Sequence, residues 1–435
     1  MKSLLSARRP RPFNLLLLAC SALTGQIAHA GQAAPAEPLQ MPEPPKSPWL
    51  SLNEAIRKAI AASPQGEAAA AREAALAASR SAADTKPAPS IDVMAENFGI
   101  GGSDLNRQIQ VTGTYNQRIE RGGKREARVG VANAEIGIAQ AEALIKRLEI
   151  AETVQRLYVE VQATEAMILI ARERVSIAEQ LSREVGRRVN EARDPLFAGT
   201  RTRTQLAEAK VDLELAEHAR DAALTRLVSL WSGSPRGIII SPDAFLSVRE
   251  AEQIGEPSPV DLAVFDARQR KSEADVALQR ANGRTDPTIS GGPRVIGSGD
   301  VALVAGFSLP LSNKALNRAK IEQAEAEGRQ VEADYAVALY EWRQQMILAA
   351  EKVTETAHEV EAIRAKVVPG AKQTLAEVRA GYNRGGFTFM DVSMAQTALH
   401  EANARMVRAA TRHHEARVEL DRLTGRFADI SQGTE

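Results

Sequence analysis

A mostly helical fold that also carries a small two-faced β-sheet is what this sequence predicts, on three observations. Long stretches run without helix breakers: 124–193 contains no proline, and its only glycines are Gly130, Gly137 and Gly186. Short alternating segments interrupt the helices. In QIQVTGTYNQ (108–117), Ile109, Val111, Gly113 and Tyr115 share one side, and Gln108, Gln110, Thr112, Thr114 and Asn116 the other. That is strand period with one apolar and one wet face. The order of elements also occurs twice, since Ala127 and Ala319, Gln205 and Gln396, and Gly233 and Gly425 recur at a spacing of 191 or 192 residues. Such a period marks a duplicated domain, not a solenoid of roughly 20–50-residue units.

The first thirty residues read as a secretory signal peptide. Lys2, Arg8, Arg9 and Arg11 precede an apolar stretch, 13–23, and Ala28-His29-Ala30 is a small-x-small cleavage site. LLAC at 17–20 is a competing, lipoprotein-type site with Cys20 as the acylated residue. It leaves only 13–18 as the apolar core, short of the roughly 7–15 residues a signal requires, so cleavage after Ala30 is the preferred reading. A Pro-, Ala- and Gln-rich leader follows over 31–50.

The first repeat spans 51–233. Ser51-x-x-Glu54 is a capping box opening its first helix, and Pro87 and Pro89 end the helical stretch. Strands at 91–98 and 107–117 form a hairpin, 91–117, across GIGGSD. At ~1.5 Å per residue the helix that follows is ~105 Å long. Pro195 and Gly199 break it at a turn, 193–202, where Thr202-x-x-Gln205 reads as a capping box for a return helix running to Trp231. A connector covers 234–257. The second repeat, 258–425, has a helix at 260–281, strands at 288–296 and 301–309 within a hairpin 288–310, and a long helix 314–381 expected to be interrupted at Pro369-Gly370. Its turn is 382–391, and Thr388-x-x-Asp391 caps a return helix to Leu423. Pro293 makes strand three the weak member, because proline cannot donate to a ladder. A tail occupies 426–435.

Charge and composition exclude several classes. The chain balances 55 basic against 55 acidic residues, and losing four basic residues with the signal leaves an excess of four acids. Nothing there suggests nucleic acid. Cys20 is the only cysteine, so no intrachain disulfide forms. No nucleophile elbow, phosphate loop or zinc motif is present, so neither an enzyme nor a cofactor is expected. Histidines 218, 358, 400, 413 and 414 lack metal-ligand spacing and read as surface residues, so no metal site is expected.

The stripe Leu144, Leu148, Ala151, Tyr158, Val161, continued by Ile177, Leu181 and Val185, needs other long helices to pack against, which implies a coiled-coil assembly. The strands have a parallel need. Four strands with an apolar outer face leave open edges, which a bilayer forbids. Closed bacterial barrels have an even count of about eight or more strands, so closure falls between chains: two copies would supply eight, three copies twelve. Ile109, Val111 and Tyr115 would then face outer-membrane lipid. A soluble hairpin packed on helices is the plainer alternative.

These features resemble the TolC-type outer-membrane efflux family over essentially all of the mature chain. AGYNRGGFTFMDV (380–392) resembles that family's second periplasmic turn, while QRIERGGKREAR (117–128) and RDPLFAG (193–199) are similar to its Czc, heavy-metal cation branch. The resemblance implies a homotrimer with a twelve-stranded barrel above a periplasmic α-helical tunnel. It also implies a periplasmic adaptor protein, an inner-membrane resistance–nodulation–division pump and cobalt, zinc or cadmium as cargo. It implies a gate at Tyr382, whose acidic partner's position aligns with Arg203, and a lower-pore acid at Asp391. Phe197, Gly199, Gly385, Gly386 and Phe387 would form the adaptor-docking tips, unless the phenylalanines fill the closed bundle. A conduit for drugs or polypeptides, or an adaptor without a barrel, are the alternatives.

Overall fold

The computed structural model describes residues 49–97, 109–249 and 257–432. The expected signal peptide with Cys20, nearly all of the expected leader, the GIGGSD turn and the end of the connector lie outside the described residues. The elements are α1 (Leu52–Ala62), α2 (Pro64–Ala83), β1 (Ser90–Glu96), β2 (Gln110–Arg118), α3 (Lys124–Asn190) and α4 (Leu196–Ser229). They continue with α5 (Pro259–Asn282), β3 (Thr288–Ile296), β4 (Val301–Ser308), α6 (Lys314–Ala362), α7 (Val368–Asn383), α8 (Phe389–Thr424) and α9 (Ala428–Gln432). Ser51 caps α1 by accepting from the Glu54 amide at 3.3 Å. Ser63 and Pro64 then restart the chain as α2, proline fitting a first turn that has no use for its missing N–H.

Two expectations about breaks fail. The helix after the first turn starts at Leu196, not Thr202. Pro195 sets its entry, and Thr202 lies inside it with its hydroxyl on the Ala198 and Gly199 carbonyls. Nor does Pro369 interrupt its helix. A π-helical turn over Ile363–Val367 joins α6 to α7. Ala365, whose carbonyl the proline ring would otherwise crowd, sits in that widened turn.

α3 packs against α2, α4, α5 and α8, while α6 lies on α5 and α8, and α7 on α8. The buried residues form a string of clusters along these helices. In one, α1 packs on α3 and Ile56 shares a buried cluster with Val154 of α3 and Leu227 and Val228 of α4, and the Tyr158 hydroxyl donates to the Leu50 carbonyl at 2.9 Å. Truncating Leu227 to alanine there costs about 2–5 kcal/mol. A second cluster gathers Phe245 of the connector with Ile170, Val360, Ile363 and Val407. A third surrounds Tyr382.

The four strands form one antiparallel sheet in the order β1-β2-β3-β4. Register places Ile91 beside Tyr115, Val111 beside Val295, Ile289 beside Phe307 and Pro293 beside Leu303. Since side chains alternate, one face is almost wholly apolar, and it is bare: Leu303 is 89% exposed and Ile91 75%. Val111 and Tyr115 lie on it, and Ile109 immediately precedes β2. The other face is polar, with Asn116 donating to Asp92 at 2.6 Å and Arg294 to the Thr112 hydroxyl at 2.9 Å. Pro293 is tolerated because the β2–β3 ladder skips it and Gly292. There the backbones approach so closely that a Cβ on Gly292 would lie 1.8 Å from the Gly113 carbonyl oxygen. Where β2 turns into α3, buried Asp286 accepts from Arg118 and Lys124, both at 2.7 Å, and from the Arg121 amide at 3.0 Å. No described helix is long and apolar enough to cross a membrane.

Candidate gate at the helical tips

Both long helices end in the same hydrogen-bonded turn. At the end of α7 the Gly386 amide reaches back to the Gly381 carbonyl at 2.9 Å and the Gly385 amide to Tyr382 at 3.0 Å, with Gly385 at φ +82°. This left-handed closure suits glycine. At the end of α3 the Arg193 amide reaches the Arg188 carbonyl at 2.8 Å and the Ala192 amide reaches Val189 at 3.0 Å. Here Ala192 takes the left-handed position at φ 56°, a conformation that costs an L-residue about 1–2 kcal/mol. The turn folds Asp194 back beneath the end of α3.

That fold-back builds a three-residue cluster. Arg188 donates to Asp194 through Nε at 2.9 Å and Nη2 at 3.4 Å, and the Tyr382 hydroxyl donates to the same carboxylate. The Arg188 guanidinium lies 4.4 Å from the centroid of the Tyr382 ring. Tyr382 is only 1% exposed, packed among Leu181, Val185, Leu375 and Phe389. Burial pushes the Asp194 carboxyl up, but hydrogen bonds from Arg188 and Tyr382 outweigh it, and its pKa falls below the ordinary value. Burial first, then the bond to Asp194, drives the Tyr382 phenol well up, so it stays a donor. A second link, Arg379 to Glu184 at 3.3 Å and to Gln180 at 3.1 Å, ties α7 to α3 one turn away.

Tyr382, the expected gate residue, has Asp194 as its acidic partner, not a group at Arg203. With α4 beginning at Leu196, Arg203 falls in its second turn, exposed, donating to Thr200 at 3.4 Å. The dipeptide Asp194-Pro195 at the helix break was the signal for this carboxylate, because Asp-Pro favours turn initiation. Asp391 completes the expected capping box, accepting from the Thr388 amide at 2.7 Å and hydroxyl at 2.6 Å. Those bonds, the hydroxyl's first, hold its pKa below the ordinary value.

The tip phenylalanines are not buried in this chain. Phe197 is 65% exposed beside Leu196 at 81%, and Phe387 is 47% exposed. The Phe387 ring rests on Gly381, where an added Cβ would come within 2.1 Å of it. Gly199 lies against Val189. His218 and His358 are exposed as expected, but two other histidines depart from the surface reading. His413 is buried with Nδ1 3.3 Å from the Thr356 hydroxyl, and His414 holds the Phe245 carbonyl at 2.7 Å and stacks on its ring. Burial depresses both pKa values, that of His413 to about 4. Each is packed within the fold with a ring nitrogen in a hydrogen bond. Among the described residues no three His, Cys, Asp or Glu side chains converge as a metal site would require.

Comparison with known proteins decides the family. The model of the outer membrane efflux protein family matches residues 55–233 and 259–426. The chain belongs to this family. It is an outer-membrane efflux component, a transport protein and not an enzyme. The chain is 24% identical over 326 residues to the cobalt-zinc-cadmium resistance protein CzcC of Cupriavidus metallidurans, covering 72% of this chain and 77% of that one. Its fold is similar to the outer membrane protein VceC of Vibrio cholerae, with a TM-score of 0.65 at 18% identity, covering 85% of this chain and 95% of that one. It is also similar to CusC, a structure described in terms of transmembrane channel formation, with a TM-score of 0.65 at 13% identity, covering 86% and 92%. The TolC-type resemblance read from the sequence therefore stands.

Proposed function

We propose that this protein is the outer-membrane conduit of a tripartite heavy-metal efflux system. Three copies close one twelve-stranded barrel, and their long helices form a periplasmic tunnel. The carrying observation is the sheet: one face apolar and bare, the other polar, with β1 and β4 free at its edges. In lipid an open edge leaves several kcal/mol per unpaired group. Pairing β1 of each copy with β4 of the next removes every edge.

The cargo is divalent cobalt, zinc or cadmium, a reading supported by the named activity of the C. metallidurans relative. The cations pass from a proton-driven inner-membrane pump, through a periplasmic adaptor, to the outside. The chain acts passively. Tyr382, Asp194 and Arg188 latch α7 to the end of α3 and hold the tunnel mouth shut. The adaptor grips Phe197 and Phe387 and draws the tips apart, breaking the latch. Metal accumulation tests this: cells lacking the protein should retain more cobalt, zinc and cadmium, and the wild-type gene should restore export. Restored export of drugs with unchanged metal content would assign a different cargo.

A further inference from the structure

The described sheet has a chemically distinct base. Antiparallel pairing brings the start of β1, the end of β2, the start of β3 and the end of β4 to one level, as the pairs Ser90–Asn116, Arg118–Thr288 and Thr288–Ser308 show. Each of the four chain segments leaving this level carries an exposed cation. These are Lys86 before β1, Arg121 after β2, Arg284 before β3 and Lys314 after β4. None makes an ion pair through its side chain among the described residues. Most carboxylates nearby are already engaged: Asp286 with Arg118 and Lys124, Glu120 with Arg128, and Asp84 with Arg125 at 3.3 Å.

Two of the cations are positioned by backbone. The Arg121 amide is tied to Asp286. The Arg284 stem lies over Gly122, where an added Cβ would meet its Cδ at 2.6 Å, and Gly122 has φ +82°. Glycine at 122 thus lets the two corners nest, bringing both arginines to one place. Immediately above, on the bare apolar face, stand Tyr115, 50% exposed, and Phe307, 69% exposed. Aromatic rings at the edge of an apolar band, with cations just beyond, are the order that a membrane–water boundary selects.

We propose that these four residues form a basic collar that binds the anionic phosphate headgroups of the periplasmic leaflet. The inference rests on the membrane reading of the sheet. The collar fixes the depth of the barrel and anchors the junction from which the tunnel helices descend. Charge complementarity and continuity with the apolar face select a phospholipid surface as the occupant. Each cation near an anionic surface strengthens attachment roughly fivefold.

Full-length assembled protein is inserted into phosphatidylcholine vesicles containing fluorescent phosphatidylglycerol, and headgroup enrichment around the protein is read by energy transfer. Wild type should enrich phosphatidylglycerol at least fivefold over phosphatidylcholine, and ~0.5 M salt should largely erase this. The combined variant Lys86→Gln, Arg121→Gln, Arg284→Gln, Lys314→Gln should insert normally and lose the preference. Lys314→Gln alone should lower it measurably should the combined variant misassemble. Enrichment in wild type that is absent, insensitive to salt, or unchanged in the variants overturns the collar. So does displacement of the lipid by ~10 mM inorganic phosphate, which would mark a free-anion site. Wild type that fails to insert into phosphatidylcholine at all overturns the membrane reading itself, a result distinct from insertion without headgroup preference.

Discussion

Tyr382→Phe tests the proposed latch. The substitution deletes one hydroxyl and leaves the ring, which stays buried with the Arg188 guanidinium 4.4 Å from its centroid. No cavity opens. What is lost is one hydrogen bond to an ionised carboxylate, worth about 1.5–3 kcal/mol. Asp194 keeps its two contacts from Arg188, at 2.9 and 3.4 Å, so the carboxylate is not stranded and the loss stays in that range. At ~1.4 kcal/mol per tenfold, each protomer's closed-to-open ratio should fall roughly 10- to 100-fold. Single-channel recording without adaptor should show wild type nearly always shut and the variant opening frequently, with unchanged trimer yield. Asp194→Ala should open it further, since it also strands Arg188. Wild-type open probability in Tyr382→Phe would refute the latch.

Other outcomes follow from the same geometry. Asp194 has a depressed pKa in the latched state, so its contribution is complete above the ordinary value of 3.8 and is lost as pH falls through the lower latched value. The raised Tyr382 pKa contributes fully below 10.0 and is lost only as pH rises through its higher latched value. Adaptor-free conductance should therefore be flat from about pH 5 to 9, and a midpoint near neutrality would exclude this latch. Val93→Arg, at the middle of the β1 ladder on the bare face, should cost ~2–4 kcal/mol and reduce assembled protein on gels. Thr114→Arg, on the polar face opposite Asp92, should assemble normally, and equal yields would remove the lipid-facing assignment. Phe387→Asp should abolish co-purification of the adaptor and metal resistance while leaving assembly intact. Retained capture would move the docking site elsewhere.

Local chemistry made most of the architecture legible. The alternation of Val111, Gly113 and Tyr115 could only suit a strand, and the Thr388–Asp391 capping box marked the start of α8 to the residue. The misreadings have physical causes. Thr202 and Gln205 have cap spacing, but Pro195 with its fixed φ had already started the helix, and the preferred hydroxyl partners were carbonyls within it. Pro369 reads as a break, yet one widened turn absorbs it, a device with no sequence mark. At the tip, Tyr382 was visible from its motif. For Asp194 the Asp-Pro pair marked a turn but not its partner, because its approach to Tyr382 depends on Ala192 adopting a left-handed turn that sequence favours for glycine. Packing of His414 depends on Phe245, far away in the chain, reaching α8, and that of His413 on Thr356 of α6.

Barrel closure by three copies is tested most directly by cross-linking the sheet's free edges. With Cys20 replaced by serine, Val93→Cys in β1 is paired in turn with cysteines at Val301, Leu303, Ala305 or Phe307 in β4 and oxidised in outer-membrane vesicles. One pairing should give covalent dimers and trimers, with the ladder ending at three. Products limited to monomers, or a ladder running on past three, would contradict closure of the sheet by three copies of this chain.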